Sequence, residues 1–213
     1  MTYLSEFLAL MAVFSVVIVA PGADFALVTR QCVVHGRRAA LVTSLGISAS
    51  LLFHITYTIL GLGLIVSKSL ALFAFIKWCG VAYLIYLGVR AFFEPAMRFE
   101  EPDADRPPTR TAPLSAARCF AMGFLTNALN PKPVLFFLSL FSTLVSPATP
   151  VAITFLYGIG MAGALFAWFV GVTLFFTHPR VRARFTACGR WFNRITGAAF
   201  VLLGLRLAAQ RAG

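Results

Sequence analysis

The chain has 213 residues, of which 60% are hydrophobic and only 12% charged, where a soluble domain carries about a quarter charged residues. A water-soluble fold of this size cannot hide that much apolar surface, so the composition excludes an ordinary soluble enzyme or binding domain. The net charge of +11 would suggest a nucleic-acid partner in a soluble protein. Here the basic residues sit in short clusters between apolar runs, as in loops facing anionic lipid headgroups, and no nucleic-acid motif accompanies them.

Six apolar segments follow in chain order, at about residues 4–28, 39–65, 69–93, 115–145, 150–177 and 191–209. The first begins without a basic n-region and ends without a small-residue cleavage site, so it reads as a retained span and not a signal peptide. No charged residue or histidine occurs from Pro133 to Thr177, which leaves room for two crossings of about 20 residues each around the turn Ser146-Pro147-Ala148-Thr149-Pro150. Only Ile195–Leu205 of the last segment is free of charge, so Arg194 and Arg206 must snorkel to the interfaces and a five-span reading stays open.

Thirteen of the 18 Lys and Arg residues fall in the first, third and fifth connections, and four fall on the opposite side. That bias predicts that the odd connections are cytoplasmic and both termini periplasmic. The third connection, Glu94 to Pro113, is hydrophilic and rich in proline, a composition that cannot build a core. It reads as a cytoplasmic linker, 94–114, between an N-terminal half, 1–93, and a C-terminal half, 115–213. Each half holds three crossings, so the second must be inserted upside down relative to the first. The predicted fold is therefore an all-α integral membrane protein of about six transmembrane helices, arranged as two inverted three-helix repeats with broken first helices.

The breaks carry the chemistry. Each half opens with a long apolar segment interrupted by proline, at Pro21-Gly22 and at Pro131-Lys132-Pro133, 110 positions apart. Matching broken helices in two inverted halves point to a transport site near the bilayer midplane. Asp24 is the one carboxylate expected at membrane depth, since five acidic residues lie in the linker and Glu6 lies near the end of the first span. Burying it costs at least about 2.5 kcal/mol. It either titrates and binds a proton or a substrate ammonium, or it caps the helix that starts after Pro21-Gly22.

Asn130 followed by Pro131 reads as an N-cap and first helical residue, so a half-helix should start there, with free N–H groups and Lys132 to attract a carboxylate. The alternative for Lys132 is a static ion pair with Asp24. Asn127, three residues earlier, reads as structural hydrogen bonding or as ligand contact. On the second segment Gly46, Ser50, His54 and Thr58 recur every fourth position, with Tyr57 and Gly61 beside them, a small and polar face that must turn toward other helices or a cavity. His54 can relay protons or bond a neighbouring helix. In the fifth segment Gly163, Ala167 and Gly171 are expected to pack closely against another helix.

Cys32, Cys79, Cys119 and Cys188 are far apart, which supports neither a zinc site nor a disulfide framework, and no metal or other cofactor is expected. No His-Glu-x-x-His, P-loop, dinucleotide or Gly-x-Ser-x-Gly motif suggests an enzyme.

Pro21-Gly22-Ala23-Asp24, Leu27-Val28, Gly36-Arg37-Arg38-Ala39, Leu45-Gly46-Ile47 and His54 resemble the opening of the bacterial lysine exporter and homoserine/threonine exporter family. The likeness continues through Gly80, Tyr83-Leu84, Tyr86-Leu87-Gly88, Gly123-Phe124-Leu125-Thr126-Asn127 and Asn130-Pro131-Lys132, and Leu138-Ser139-Leu140-Phe141-Ser142 with Trp168 is most like the threonine-exporter branch. Two positions depart from the pattern: Ala23 stands where the family usually has a second proline, and Ser50 where it often has glycine. The resemblance implies efflux of small neutral or basic amino acids across the inner membrane by a secondary transporter, driven by the proton motive force. Asp24 would then accept a proton or amine, Lys132 and the half-helix at Asn130 a carboxylate, and His54, Asn127 and Ser50 would line the site. An exporter of a metal ion or another solute would call for several intramembrane carboxylates or histidines. A membrane scaffold without transport would give no reason for charged residues at two breaks.

Overall fold

Proline inside an apolar segment removes a backbone donor and clashes with the preceding turn, and both proline-bearing segments of this chain are split in two. The computed structural model describes residues 2–19, 22–68, 70–93, 114–146, 148–175 and 179–209. The first segment forms α1 (Tyr3–Val19) and α2 (Ala23–His35), followed by α3 (Arg37–Lys68) and α4 (Leu70–Phe93). The second broken segment forms α5 (Ala116–Ala128) and α6 (Pro131–Leu144), followed by α7 (Val151–Phe175) and α8 (Pro179–Ala209). No strand occurs among the described residues. Pro21 and nearly all of the linker, 94–113, lie outside them.

Local signals account for the ends. Gly22 is extended, with φ −154° and ψ −169°, and α2 starts immediately after it. Gly36 has φ +86°, the left-handed region that only glycine enters without strain, so α2 stops there and α3 starts at the next residue. The first segment therefore runs on to His35 instead of ending near residue 28. Ser115 caps α5, its hydroxyl accepting from the Arg118 N–H at 3.3 Å. Pro179 opens α8 at the first helical position, where its missing N–H does no harm, and this starts the last helix twelve residues ahead of the apolar run at residue 191.

Polarity is distributed inside out. Phe53, Leu60, Trp78, Tyr86, Leu156, Phe175 and Leu202 are exposed, while Ser44, Ser48, Ser50, His54, Thr58, Asn127 and Thr173 are buried. An apolar outer surface of this extent marks contact with a membrane. By length and composition, Arg37–Gly61 and Val151–Phe175 each suffice to cross one, and α1 with α2, bent by 56°, would form a third such span.

Helix α3 is the centre of the fold, packing against α2, α4, α5, α6 and α7. Its closest neighbour is α5, because both helices present glycine at the crossing. A Cβ on Gly46 would sit 2.1 Å from the Phe120 carbonyl oxygen, and a Cβ on Gly123 would sit 2.1 Å from that of Thr43. The backbones therefore touch, as small residues allow between helices in lipid. The face Gly46, Ser50, His54 and Thr58 turns inward as the sequence suggests. The fifth segment differs from expectation: a Cβ at Gly163 or Gly171 would meet nothing within 4 Å, and the residues that pack are Gly158, against Ile55, and Gly160, against Phe7. A four-residue repeat of small side chains gives a stripe, but which stripe faces a neighbour depends on helix rotation.

Gly46→Leu or Gly123→Leu is therefore expected to destabilise the protein by about 1–3 kcal/mol or more through overpacking, while Gly163→Ala stays neutral. The detergent-solubilised thermal midpoint measures the difference, and equal midpoints for all three would refute the crossing.

Candidate functional site

The two breaks meet. Asp24, in the first turn of α2, accepts a hydrogen bond at 2.7 Å from the side-chain Nδ2 of Asn127, in the last turn of α5. These residues are 103 positions apart, so the bond joins the broken segment of one half to that of the other. Its cause lies in helix ends: α2 begins and α5 finishes where backbone groups lack intrahelical partners, and polar side chains collect there.

Asn127 has a second connection. Its backbone carbonyl accepts at 3.0 Å from Asn130 N–H, closing the end of α5, and lies 3.0 Å from Nε2 of His54 in α3. A carbonyl only accepts, so Nε2 carries a proton in this arrangement. The other ring nitrogen, Nδ1, meets the Tyr57 hydroxyl one turn along α3, which a neutral imidazole accepts as a donor. His54 is fully buried. A chain of contacts thus runs Asp24, Asn127, His54, Tyr57 across α2, α5 and α3.

Beside it lies a cavity of about 110 Å³. Gly22, Ala23, Asp24, Asn127 and Asn130 form its polar end, and Phe14, Phe25, Phe137, Leu165 and Phe169 contribute apolar walls from α1, α2, α6 and α7. The side-chain Oδ1 of Asn127 is buried without a hydrogen-bond partner. Such an acceptor costs about 1–3 kcal/mol unless water or a ligand supplies a donor.

Of the residues singled out in the sequence, Gly22, Asp24, Asn127 and Asn130 border the cavity, and His54 reaches it through Asn127. Ser50 is buried on the same face of α3, but its neighbour Leu51 takes the place on the cavity wall. Pro21 and the side chains of Pro131 and Lys132 lie outside the described residues. Sequence reading missed the walls from α1, α6 and α7, which carry no polar signal. It also treated Tyr57 only as a flanking residue, although its spacing of three from His54 was there to pair them.

His54→Phe removes a donor to the Asn127 carbonyl and the acceptor for Tyr57, and is expected to cost about 1–3 kcal/mol of stability. His54→Gln, which keeps one donor and one acceptor, should recover part of it. Thermal midpoints of the purified proteins test this, and identical values for the parent and His54→Phe would contradict the network.

Fold and site define a helical membrane protein organised around a largely apolar cavity with one polar end, where two interrupted helices touch. The chain belongs to the LysE type translocator family, which it matches over residues 15–211. It is 31% identical over 207 residues to the threonine efflux protein of Escherichia coli strain K12, spanning 96% of this chain and 98% of that one. It is 28% identical over 179 residues to the homoserine/homoserine lactone efflux protein of Salmonella typhimurium, spanning 83% of each. No solved structure matches it significantly. The family expected from the Pro-Gly and Asn-Pro-Lys motifs is the one found.

Proposed function

We propose that this protein is a secondary transporter that exports small amino acids across the bacterial inner membrane. The observation that carries the reading is the pairing of two acceptors at one end of an otherwise apolar cavity. Asp24 brings a carboxylate, and Asn127 brings a buried Oδ1 that has no donor. An α-ammonium group, with three N–H donors and a positive charge, answers both. The start of α6 at Asn130-Pro131, with Lys132 next to it, supplies the partial positive charge suited to the α-carboxylate. Phe14, Phe137, Leu165 and Phe169 then receive a small side chain.

A polar end beside apolar walls suits a small amino acid such as threonine or homoserine, its charged groups at Asp24 and Asn130 and its side chain against the phenylalanines. The protein's relatives, a threonine efflux protein and a homoserine/homoserine lactone efflux protein, support the same class.

In the proposed architecture the eight described helices make six spans. A broken helix and two continuous ones in each half, α1–α2 with α3 and α4, then α5–α6 with α7 and α8, form inverted repeats. The charge bias of the connections supports periplasmic termini and a cytoplasmic linker. Asp24 exchanges a proton for the substrate ammonium, so export runs as antiport driven by the proton motive force.

Asp24→Asn keeps the size of the side chain and its hydrogen bonding but removes the charge. Export of labelled threonine or homoserine from preloaded cells is expected to fall to that of cells lacking the protein, with the amount in the membrane unchanged. Undiminished efflux would remove Asp24 from the mechanism.

A further inference from the structure

Glu6 is more deeply buried than Asp24, with 1% of its surface exposed, and nothing in the proposed site uses it. Its carboxylate gathers two donors and a share of a third. Oε1 accepts from the Ser146 N–H at 3.1 Å, and Oε2 accepts from the Thr149 hydroxyl at 2.9 Å. The Tyr157 hydroxyl shares its one proton between the Tyr3 carbonyl at 2.9 Å and Glu6 Oε2 at 3.2 Å, and its ring stacks on Phe7, with ring centroids 5.7 Å apart. One side chain thus binds the start of α1, in the first half, to the α6–α7 turn and the start of α7, in the second.

The position of this cluster gives it meaning. Glu6, Leu10 and Phe14 are the buried stripe of α1, and Phe14 lines the cavity. On α7, Tyr157, Met161 and Leu165 make the matching stripe, and Leu165 lines the cavity. On α6, Phe137 lines the cavity, Phe141 and Leu144 follow, and the chain then reaches Ser146. Eight residues of helix separate latch from cavity on α1, about 12 Å at 1.5 Å per residue. Leu10, Phe141, Leu144 and Met161, all buried, fill the space between. An apolar plug therefore closes the cavity on the face that carries the start of α1, and the Glu6 cluster ties it shut from outside.

We infer that Glu6 is the positioning residue of a gate, holding α1 against α6 and α7 so that the cavity stays closed on the α1 N-terminal face until the cluster separates. This rests on the transport reading above, in which the cavity must open to each face in turn. A protein that only scaffolds has no need to open there. Neutral replacement weakens charge-assisted bonds that exist only in the closed arrangement, so the open one becomes more populated.

The test is side-specific thiol labelling of Ile18→Cys, a cavity-lining position on α1, in a full-length chain whose four native cysteines are replaced by alanine. A membrane-impermeant maleimide is applied to intact cells and to inverted vesicles, with an N-terminal epitope reporting which face bears the start of α1. Glu6→Gln is expected to speed labelling from that face about tenfold, as loss of charged hydrogen bonds implies. Tyr157→Phe, which removes one donor and keeps the ring, should give a smaller rise and serves where Glu6→Gln fails to insert. A rate equal to the parent's in the inserted variants overturns the inference, and so does an equal rise from both faces, the sign of general loosening. Labelling needs no substrate, so a side-specific rise in a protein that exports no amino acid would uphold the gate while sinking the proposed substrate.

Discussion

A helix interrupted inside an apolar segment exposes N–H and C=O groups that hydrocarbon cannot solvate, and the rest of this structure depends on how Asn127 meets that constraint. Its amide reaches Asp24 at the other break, and its carbonyl closes α5 through Asn130 and receives His54 from α3. One residue thereby satisfies groups from three elements and fixes the two breaks at a single point. The cavity lies at that point because two interrupted helices cannot fill the space that continuous ones would.

The inward-facing polar stripe of α3 follows from the same constraint. Ser50, His54 and Thr58 would be costly against lipid, and Gly46 lets α5 approach until backbones touch. Close approach brings the end of α5 within reach of His54, so the glycine crossing and the histidine bond belong to one arrangement. With no hydrophobic force between helices inside a bilayer, such contacts and hydrogen bonds supply the cohesion that an apolar core supplies in water.

Much of this was legible in the sequence because its signals are local. Pro21-Gly22 and Asn130-Pro131 mark interruptions through backbone chemistry alone, and the four-residue recurrence from Gly46 to Thr58 marks a buried face. What was not legible is long-range or rotational. Nothing in the spacing told that the amide reaching Asp24 would come from Asn127. Glu6 read as a residue near the end of a span because its partners Ser146, Thr149 and Tyr157 lie 140 or more positions away. Gly163 and Gly171 form as good a stripe on paper as Gly46 and Ser50, yet α7 turns that stripe outward and packs through Gly158 and Gly160 instead. The start of α8 was hidden for another reason: its first turns are basic and polar, and hydropathy sees only the part that is apolar.

The carboxylates of Glu6 and Asp24 differ in a way that separates the uses proposed for them. Glu6 accepts from the Ser146 N–H and the Thr149 hydroxyl and shares the Tyr157 hydroxyl with the Tyr3 carbonyl, so its bonds hold protein elements together. Asp24 stands half-buried on the cavity wall, and in the proposed mechanism it meets the substrate there. A carboxylate that serves a ligand must keep some access to it, and one that serves a closure must be shielded so that water does not compete for its donors. Because α1 carries Glu6 at one end and cavity-lining Phe14, Val17 and Ile18 at the other, it is a rigid connection between the two. Displacement at either end has to be felt at the other, since a packed helix moves as a body rather than bending residue by residue.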